Sequence, residues 1–185
     1  MRGLRFLGLL AALLVALSGC AGRTDAGRSF SYLNGPVQLA LTGRVDGMQV
    51  QALLQSKGRE EGDAPVAVPD FTLTYLAPDA LAGVRVSYRS DGTYEVSLGE
   101  LQAQGEAFEA LGRIGFLLLR ESAVSSRTPR TWQGPDGQTR EAVVLQTVDG
   151  ATRWHDAKTG GPLALSCTAD GHAIELTVIP GEGQE

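Results

Sequence analysis

Along most of this chain apolar residues alternate with polar ones, and the alternation reverses at aspartyl-glycine pairs. Asp-Gly stands at 46–47, 91–92, 136–137, 149–150 and 170–171. Between alternating runs this pair signals a hairpin, because both turn residues accept positive φ. The parity of the flanking residues then sets the loop length. A two-residue loop at Asp46-Gly47 pairs Val45 with Met48, Gly43 with Val50, Leu41 with Ala52 and Leu39 with Leu54, so the apolar side chains share one face. At Asp91-Gly92 the same loop would set Tyr88 opposite Glu95. A three-residue loop, Ser90-Asp91-Gly92, restores Tyr88 to Tyr94, Val86 to Val96 and Val84 to Leu98, the pattern of a bulged hairpin.

At Asp170-Gly171 two loop residues pair Cys167 with Ile174, Leu165 with Leu176 and Leu163 with Val178, leaving Ser166, Thr168, Ala173, Glu175 and Thr177 outside. Asp149-Gly150 pairs Leu145 with Trp154 in the same way, whereas Asp136-Gly137, beside Pro135, reads as a loop turn. Phe71, Leu73 and Tyr75 mark a further strand, followed by a short helical turn at Pro78-Asp79-Ala80-Leu81. About eight or nine antiparallel strands with one apolar face follow from this pattern.

One segment has a different period. From Glu100 to Glu121, Leu101, Phe108, Leu111, Ile114 and Leu118 fall at helical spacing, opposite Gln104, Glu106, Glu109 and Arg113. Gly105, Gly112 and Gly115 each weaken that helix by up to about 1 kcal/mol relative to alanine. The fold expected is mainly β: a curved antiparallel sheet, or unclosed barrel, with one inserted amphipathic helix.

The N-terminus carries an address. Arg2 and Arg5 precede an uncharged run from Phe6 to Leu17, and Leu17-Ser18-Gly19-Cys20 closes it with small residues before a cysteine. This is the order of a lipoprotein signal peptide over residues 1–19, with the Cys20 thiol as the lipid attachment point. A plain secretory signal or a short membrane helix is the alternative. A spanning helix needs about 20 apolar residues, more than the run provides. Residues 20–31 are small, polar and mixed in charge and read as a flexible tether. Residues 32–180 are the domain and 181–185 a tail. The protein is expected to be exported and anchored to the cell membrane through Cys20.

Cleavage removes two of the 16 basic residues and none of the 21 acidic ones, leaving a balance of −7 on 166 residues. Such a field disfavours nucleic acid as a partner. With Cys20 acylated, Cys167 has no intrachain partner and the fold rests on its core.

No arrangement of residues argues for an enzyme. His155 and Asp156 are consecutive on a strand, point to opposite faces and read as surface polar residues. His172 is the only other histidine, and no zinc-ligand spacing is present, so no metal or cofactor is expected. Cys167 and His172 share a face of one hairpin, but a thiol among Leu163, Leu165, Ile174 and Leu176 is held inert by burial. Gly-x-Ser-x-Gly and phosphate-binding glycine loops are absent from the sequence. Glu60-Glu61 lie in the polar segment from Lys57 to Asp63, which reads as a solvated loop.

The stretch from Phe71 through Pro78 and Leu81 to Val84, with the hairpin that follows it, resembles the LolA-type lipoprotein-carrier superfamily. So does Trp154-His155-Asp156 through Thr159, Gly160, Pro162 and Leu163, which is similar to that superfamily's "D-x-x-T-G-x-P-L" turn before its last hairpin. The resemblance spans roughly residues 36–179 and is nearest to the envelope lipoproteins of spore-forming bacteria, some of which act in germination. It implies an unclosed barrel whose helix-covered concave face accepts acyl chains. On that implication Leu39, Leu41, Phe71, Leu73, Tyr75, Val86, Tyr88, Tyr94, Val96, Leu165, Ile174 and Leu176 line the cavity. The expected function is binding of a lipid, an acyl chain or a lipidated partner. The alternative is a filled core and an interaction module for an envelope protein of germination or peptidoglycan remodelling.

Overall fold

The computed structural model describes residues 30–59, 68–169 and 171–179. The expected signal peptide, Cys20, most of the tether, Glu60-Glu61, Asp170 and the tail lie outside these residues. The described chain forms eleven strands and one α-helix, more strands than the alternation alone suggests. In chain order the strands are β1 (Val37–Val45), β2 (Met48–Ser56), β3 (Phe71–Ala77), β4 (Arg85–Tyr88), β5 (Tyr94–Leu98) and β6 (Leu101–Gln104). After helix α1 (Glu109–Leu119) come β7 (Val124–Gln133), β8 (Thr139–Thr147), β9 (Thr152–Asp156), β10 (Pro162–Ala169) and β11 (His172–Ile179).

All strands join one antiparallel sheet in the order β6-β5-β4-β3-β2-β1-β11-β10-β9-β8-β7. The chain starts at the centre, walks outward to one edge, crosses to the other edge through α1, and returns. That crossing bends the sheet. Ten interstrand gaps of about 4.8 Å would hold flat edges about 48 Å apart. The link from Gln104 to Val124 reaches about 45 Å at most, with roughly 16 Å of it helical. That helix lies packed on β3 and β4 and does not run straight to the far edge. The sheet therefore curves toward α1, and β6 and β7 remain unpaired with each other. It is an unclosed barrel with its helix on the concave side.

Turn chemistry explains most of the register. Asp46-Gly47 is the two-residue loop expected, with φ of 51° and 79°, and the β1–β2 pairs run as the parity requires. The other tight aspartyl-glycine turns fall into two groups. The β10–β11 pairs Leu165–Leu176 and Cys167–Ile174 fit a two-residue loop. Arg89–Thr93, Gly134–Gln138 and Thr147–Ala151 each close a three-residue x-Asp-Gly loop. In each, the glycine N–H donates to the carbonyl three residues earlier, at 2.8 to 3.0 Å.

Two expectations are corrected by this. Asp136-Gly137 is a hairpin turn joining β7 to β8. Asp149-Gly150 is a three-residue loop, so Leu145 pairs with Arg153 and not with Trp154. A one-residue slip exchanges the two faces of a strand. It brings Arg153 and His155 inward, at 2% and 1% exposure, and sends Trp154 to a small second cluster with Trp132, Ala142 and Leu163. His155 is thus a core residue, not the surface one that the sequence suggested.

The helix is also shorter than its pattern. Gly99-Glu100 turns the chain between Leu98 and Leu101, and residues 101–104 add an edge strand where helix was expected. Leu101 is consequently 75% exposed, off the face assigned to it. From Glu109 onward the periodicity holds, with Ile114, Leu117, Leu118 and Leu119 buried on the sheet. Gly112 and Gly115 serve close approach: a Cβ at either would stand 2.4 Å from a ring carbon of Tyr94 or Phe71. The helix thereby seats directly on an aromatic floor in which Tyr88 stacks on Phe71 at 5.2 Å and meets Tyr94 at 5.1 Å.

A second piece covers the concave side. Ser31–Asn34 form a single 3₁₀ turn that buries Phe30 and Leu33, so the folded chain begins inside the expected tether. Phe30 meets the His155 ring edge-on at 5.5 Å, and the Tyr32 hydroxyl donates to the Leu118 carbonyl at the end of α1.

Candidate functional site

An apolar cleft lies at the seam between α1 and the sheet, beside the β1–β2 and β10–β11 hairpin tips. It has a volume of about 230 Å³. Its walls are Val50 and Tyr75 from β2 and β3, Leu81 from the β3–β4 turn, Leu111 and Ile114 from α1, and Ile174 from β11. The rim carries Asp46, Met48, Arg113 and His172. Other hollows of about 460 and 740 Å³ are more open, the first lined mainly by polar groups such as Lys57 and Asp70 and the second by a mixture that includes Arg127, Glu141, Pro129 and Val143.

The mouth is held by a clasp between two hairpin tips. Asp46 Oδ2 is 2.6 Å from His172 Nδ1, while Oδ1 accepts from the Ala173 amide at 2.8 Å. The Asp46 amide donates to the Ala173 carbonyl at 2.8 Å. The hydrogen bond from His172, and next that from Ala173, hold the Asp46 carboxyl below the usual range. Inside, the Tyr75 hydroxyl donates to the Leu111 carbonyl at 2.7 Å, and burial pushes its pKa up to about 12. Tyr75 thus stays neutral, ties the sheet to the helix and presents its ring to the cleft. The clasp joins residues 126 positions apart, a pairing that no local pattern announces.

The residues assigned to the cavity by sequence divide between the cleft wall and the packed core. Tyr75 and Ile174 border the cleft. Phe71, Leu73, Val86 and Tyr94 are buried, and Tyr88 and Val96 half-buried, in the region that α1 covers. Leu39, Leu41, Leu165 and Leu176 are buried in the same continuous core. Cys167 is 7% exposed and its thiol is pushed up by burial, so it has little thiolate to offer. Among the described residues no three histidine, cysteine or carboxylate side chains gather as metal ligands.

A buried polar network, which sequence reasoning missed, sits under the N-terminal turn. Arg153 donates through Nη1 to the Arg120 carbonyl at 2.7 Å and through Nη2 to Ser122 Oγ at 3.1 Å. Ser122 donates to Asp149 at 2.7 Å, and Thr147 caps the other carboxylate oxygen. Arg59 pairs with Glu121 at 2.8 Å. Two guanidinium groups therefore grip consecutive residues of the link after α1. The signal that could have found Arg153 is the x-Asp-Gly turn, which behaves alike at three places in this chain.

His155 completes that region. A carbonyl can only accept, so Nδ1 carries the proton it shares with Gly160 O at 3.0 Å. The Asp156-to-Leu163 motif supplies that carbonyl: Asp156 Oδ1 accepts from the amides of Lys158 and Thr159, both at 2.8 Å, and shapes the turn. Burial lowers the His155 pKa from 6.5 to about 4. The unfolded chain therefore binds the extra proton first, and stability is lost as pH falls from 6.5 toward 4. Relative to His155→Gln, the wild-type domain is expected to lose about 3 kcal/mol between pH 7 and pH 4. Urea unfolding at the two pH values checks this; a pH-independent difference would contradict it.

No family model and no curated protein matches this chain. Solved structures similar to it include an uncharacterized conserved protein from Thermus thermophilus, at 14% identity and a TM-score of 0.45, covering 85% of this chain and 87% of that one. A LolA superfamily protein from Nitrosomonas europaea is similar at 11% identity and a TM-score of 0.40, covering 84% and 90%. MucB is similar at 15% identity and a TM-score of 0.49, over 88% of this chain and 62% of that one. A structure of MucB in complex with MucA(peri) gives 14% identity and a TM-score of 0.42, over 87% and 58%.

Proposed function

We propose that this protein is a LolA-like lipoprotein of the cell envelope, fixed to the membrane through Cys20, that binds an acyl chain of a lipid or lipidated partner and catalyses no reaction. The observation that carries the reading is the cleft. Its walls are aliphatic and aromatic, it lies at the helix–sheet seam, and the charged groups that line it, Asp46 and Arg113, stand with His172 at its rim. Each methylene moved from water into such a slot contributes about 0.8 kcal/mol, enough for useful affinity from a few of them. At about 230 Å³ it is smaller than the 300–1,000 Å³ typical of pockets that enclose a whole small molecule. It suits the end of one chain, with the remainder left outside.

The lipoprotein signal supports a fixed position, and a protein held by its own acyl chains holds or presents its ligand where it stands. Leu111 tests the reading because it is half-buried on the cleft wall. Leu111→Trp fills the slot and is expected to weaken binding of a fluorescent polyene fatty acid at least tenfold, as read by titration of the detergent-purified full chain. An unchanged circular-dichroism spectrum shows that the fold survives. Equal binding by both proteins, or none by the wild type, would refute the acyl-chain reading.

A further inference from the structure

We propose that the N-terminal turn, Phe30 to Asn34, is an exchangeable plug over a second binding site, which takes an amphiphile joining an acyl chain to a phosphate. The site is distinct from the cleft and stands whether or not the cleft binds lipid.

The concave face is covered by two unequal pieces. α1 is an eleven-residue helix packed along β3 and β4. The plug is a four-residue turn that adds no strand to the sheet. Its polar ties to the rest of the domain include the Tyr32 hydroxyl on the Leu118 carbonyl, and the Leu33 carbonyl accepting from the Arg59 amide at 2.8 Å. Ring contacts add to these, of Phe30 and Tyr32 with His155 and of Phe30 with the Arg153 guanidinium at 5.5 Å.

What lies beneath is unusual for a core. Arg153 is 2% exposed, and its Nε has no hydrogen-bond partner among the described residues. The Arg59 side chain is 11% exposed, and its Nε and Nη2 have none among the described residues either. Both arginines lie near enough to the Tyr32 phenol to oppose part of the rise that burial imposes on it. Arg59 pairs with Glu121, Arg153 lies near Asp149, which is already capped by Ser122 and Thr147, and the exposed Arg120 adds a like charge beside Arg153. The two buried guanidinium groups are matched by two carboxylates, yet three buried N–H donors face no acceptor among the described residues.

Buried donors of this kind cost stability unless an acceptor meets them. Guanidinium forks match phosphate oxygens in geometry and charge. Leu145 and Leu165, both 1% exposed and paired with Arg153 across the strands, supply an apolar floor beside it. An aromatic ring now rests where an anion would satisfy the arginine better. An amphiphile that brings its own apolar chain replaces both functions of the plug, covering the leucines and meeting the guanidinium groups.

Hydrogen exchange on the full-length chain in detergent micelles tests this, with dioleoyl phosphatidylglycerol, dioleoylglycerol and inorganic phosphate as probes. Phosphatidylglycerol is expected to speed exchange of the Leu33 and Arg59 amides at least tenfold, and dioleoylglycerol to leave them unchanged. The same response is expected in Leu111→Trp, whose cleft is filled. Phe30→Ala is expected to bind phosphatidylglycerol at least tenfold tighter than wild type, and Arg153→Lys on that background to remove the preference over dioleoylglycerol. The proposal fails if the two lipids act alike, if phosphatidylglycerol binds while both amides stay protected, or if the response vanishes in Leu111→Trp. It fails in its acyl part if inorganic phosphate alone reproduces the effect. The wild-type exchange decides the matter even where Phe30→Ala does not fold.

Discussion

Glutamate in place of Leu73 is expected to leave the domain unfolded. Leu73 is fully buried in the middle of β3, between Leu54 of β2 and Val86 of β4, which are themselves fully buried. Its cross-strand neighbours are apolar, so the side chain either ionises in an apolar core or binds a proton at a pKa raised by several units. With the lost leucine packing, the cost is about 5 kcal/mol or more, comparable to the whole stability of a domain. Leu76→Glu is the internal control. It lies on the same strand at 56% exposure and should change stability by about 0.5 kcal/mol or less. Far-ultraviolet circular dichroism and thermal melts of the two variants settle the point. A folded Leu73→Glu domain would mean that this face is wet, against the packing described above.

The second large effect is expected at Arg153. Truncation to alanine removes the donor that holds the Arg120 carbonyl and Ser122, and takes the positive charge from beside Asp149. Breaking a buried charge network from one side costs about 3–5 kcal/mol. The link that anchors the end of α1 to β7 loosens with it. Arg153→Ala should therefore shift the urea midpoint strongly, and should raise proteolysis within residues 119–124 before elsewhere. A loss under about 1 kcal/mol would show that the network is held by Arg59 and Glu121 alone.

Most of the sheet was legible because its register is written in local turn chemistry. Asp46-Gly47 and Ser90-Asp91-Gly92 announce their loop lengths through the parity of Leu41, Val50, Tyr88 and Tyr94, and the structure keeps those pairs. The error at Asp149-Gly150 came from its flanks. Thr147, Val148, Ala151 and Thr152 carry too little alternation to separate two loop residues from three, and the choice decides whether Arg153 or Trp154 faces the core. The β6 strand was hidden by its length, since Leu101 to Gln104 offers too few residues to outvote the helical period that follows.

The cleft and the plug were beyond local reading for a different reason. Both depend on contacts far apart in the chain: Asp46 with His172, Tyr75 with Leu111, and Tyr32 with Leu118. Phe30 looked like tether because a single aromatic among small polar residues has no period. The apolar face was visible from the sequence, but which parts of it α1 and Phe30–Asn34 cover is settled only by the path of the chain between the sheet's two edges.

Native mass spectrometry of the full-length chain and of Leu111→Trp, each taken from membranes in mild detergent, tests acyl-chain binding most directly. The wild type is predicted to carry a non-covalent acyl lipid, released on collisional activation, and Leu111→Trp to carry one acyl lipid fewer while keeping the same charge-state distribution. A wild-type protein without such a lipid, which also takes up none when fatty acid is supplied in excess, would contradict the account.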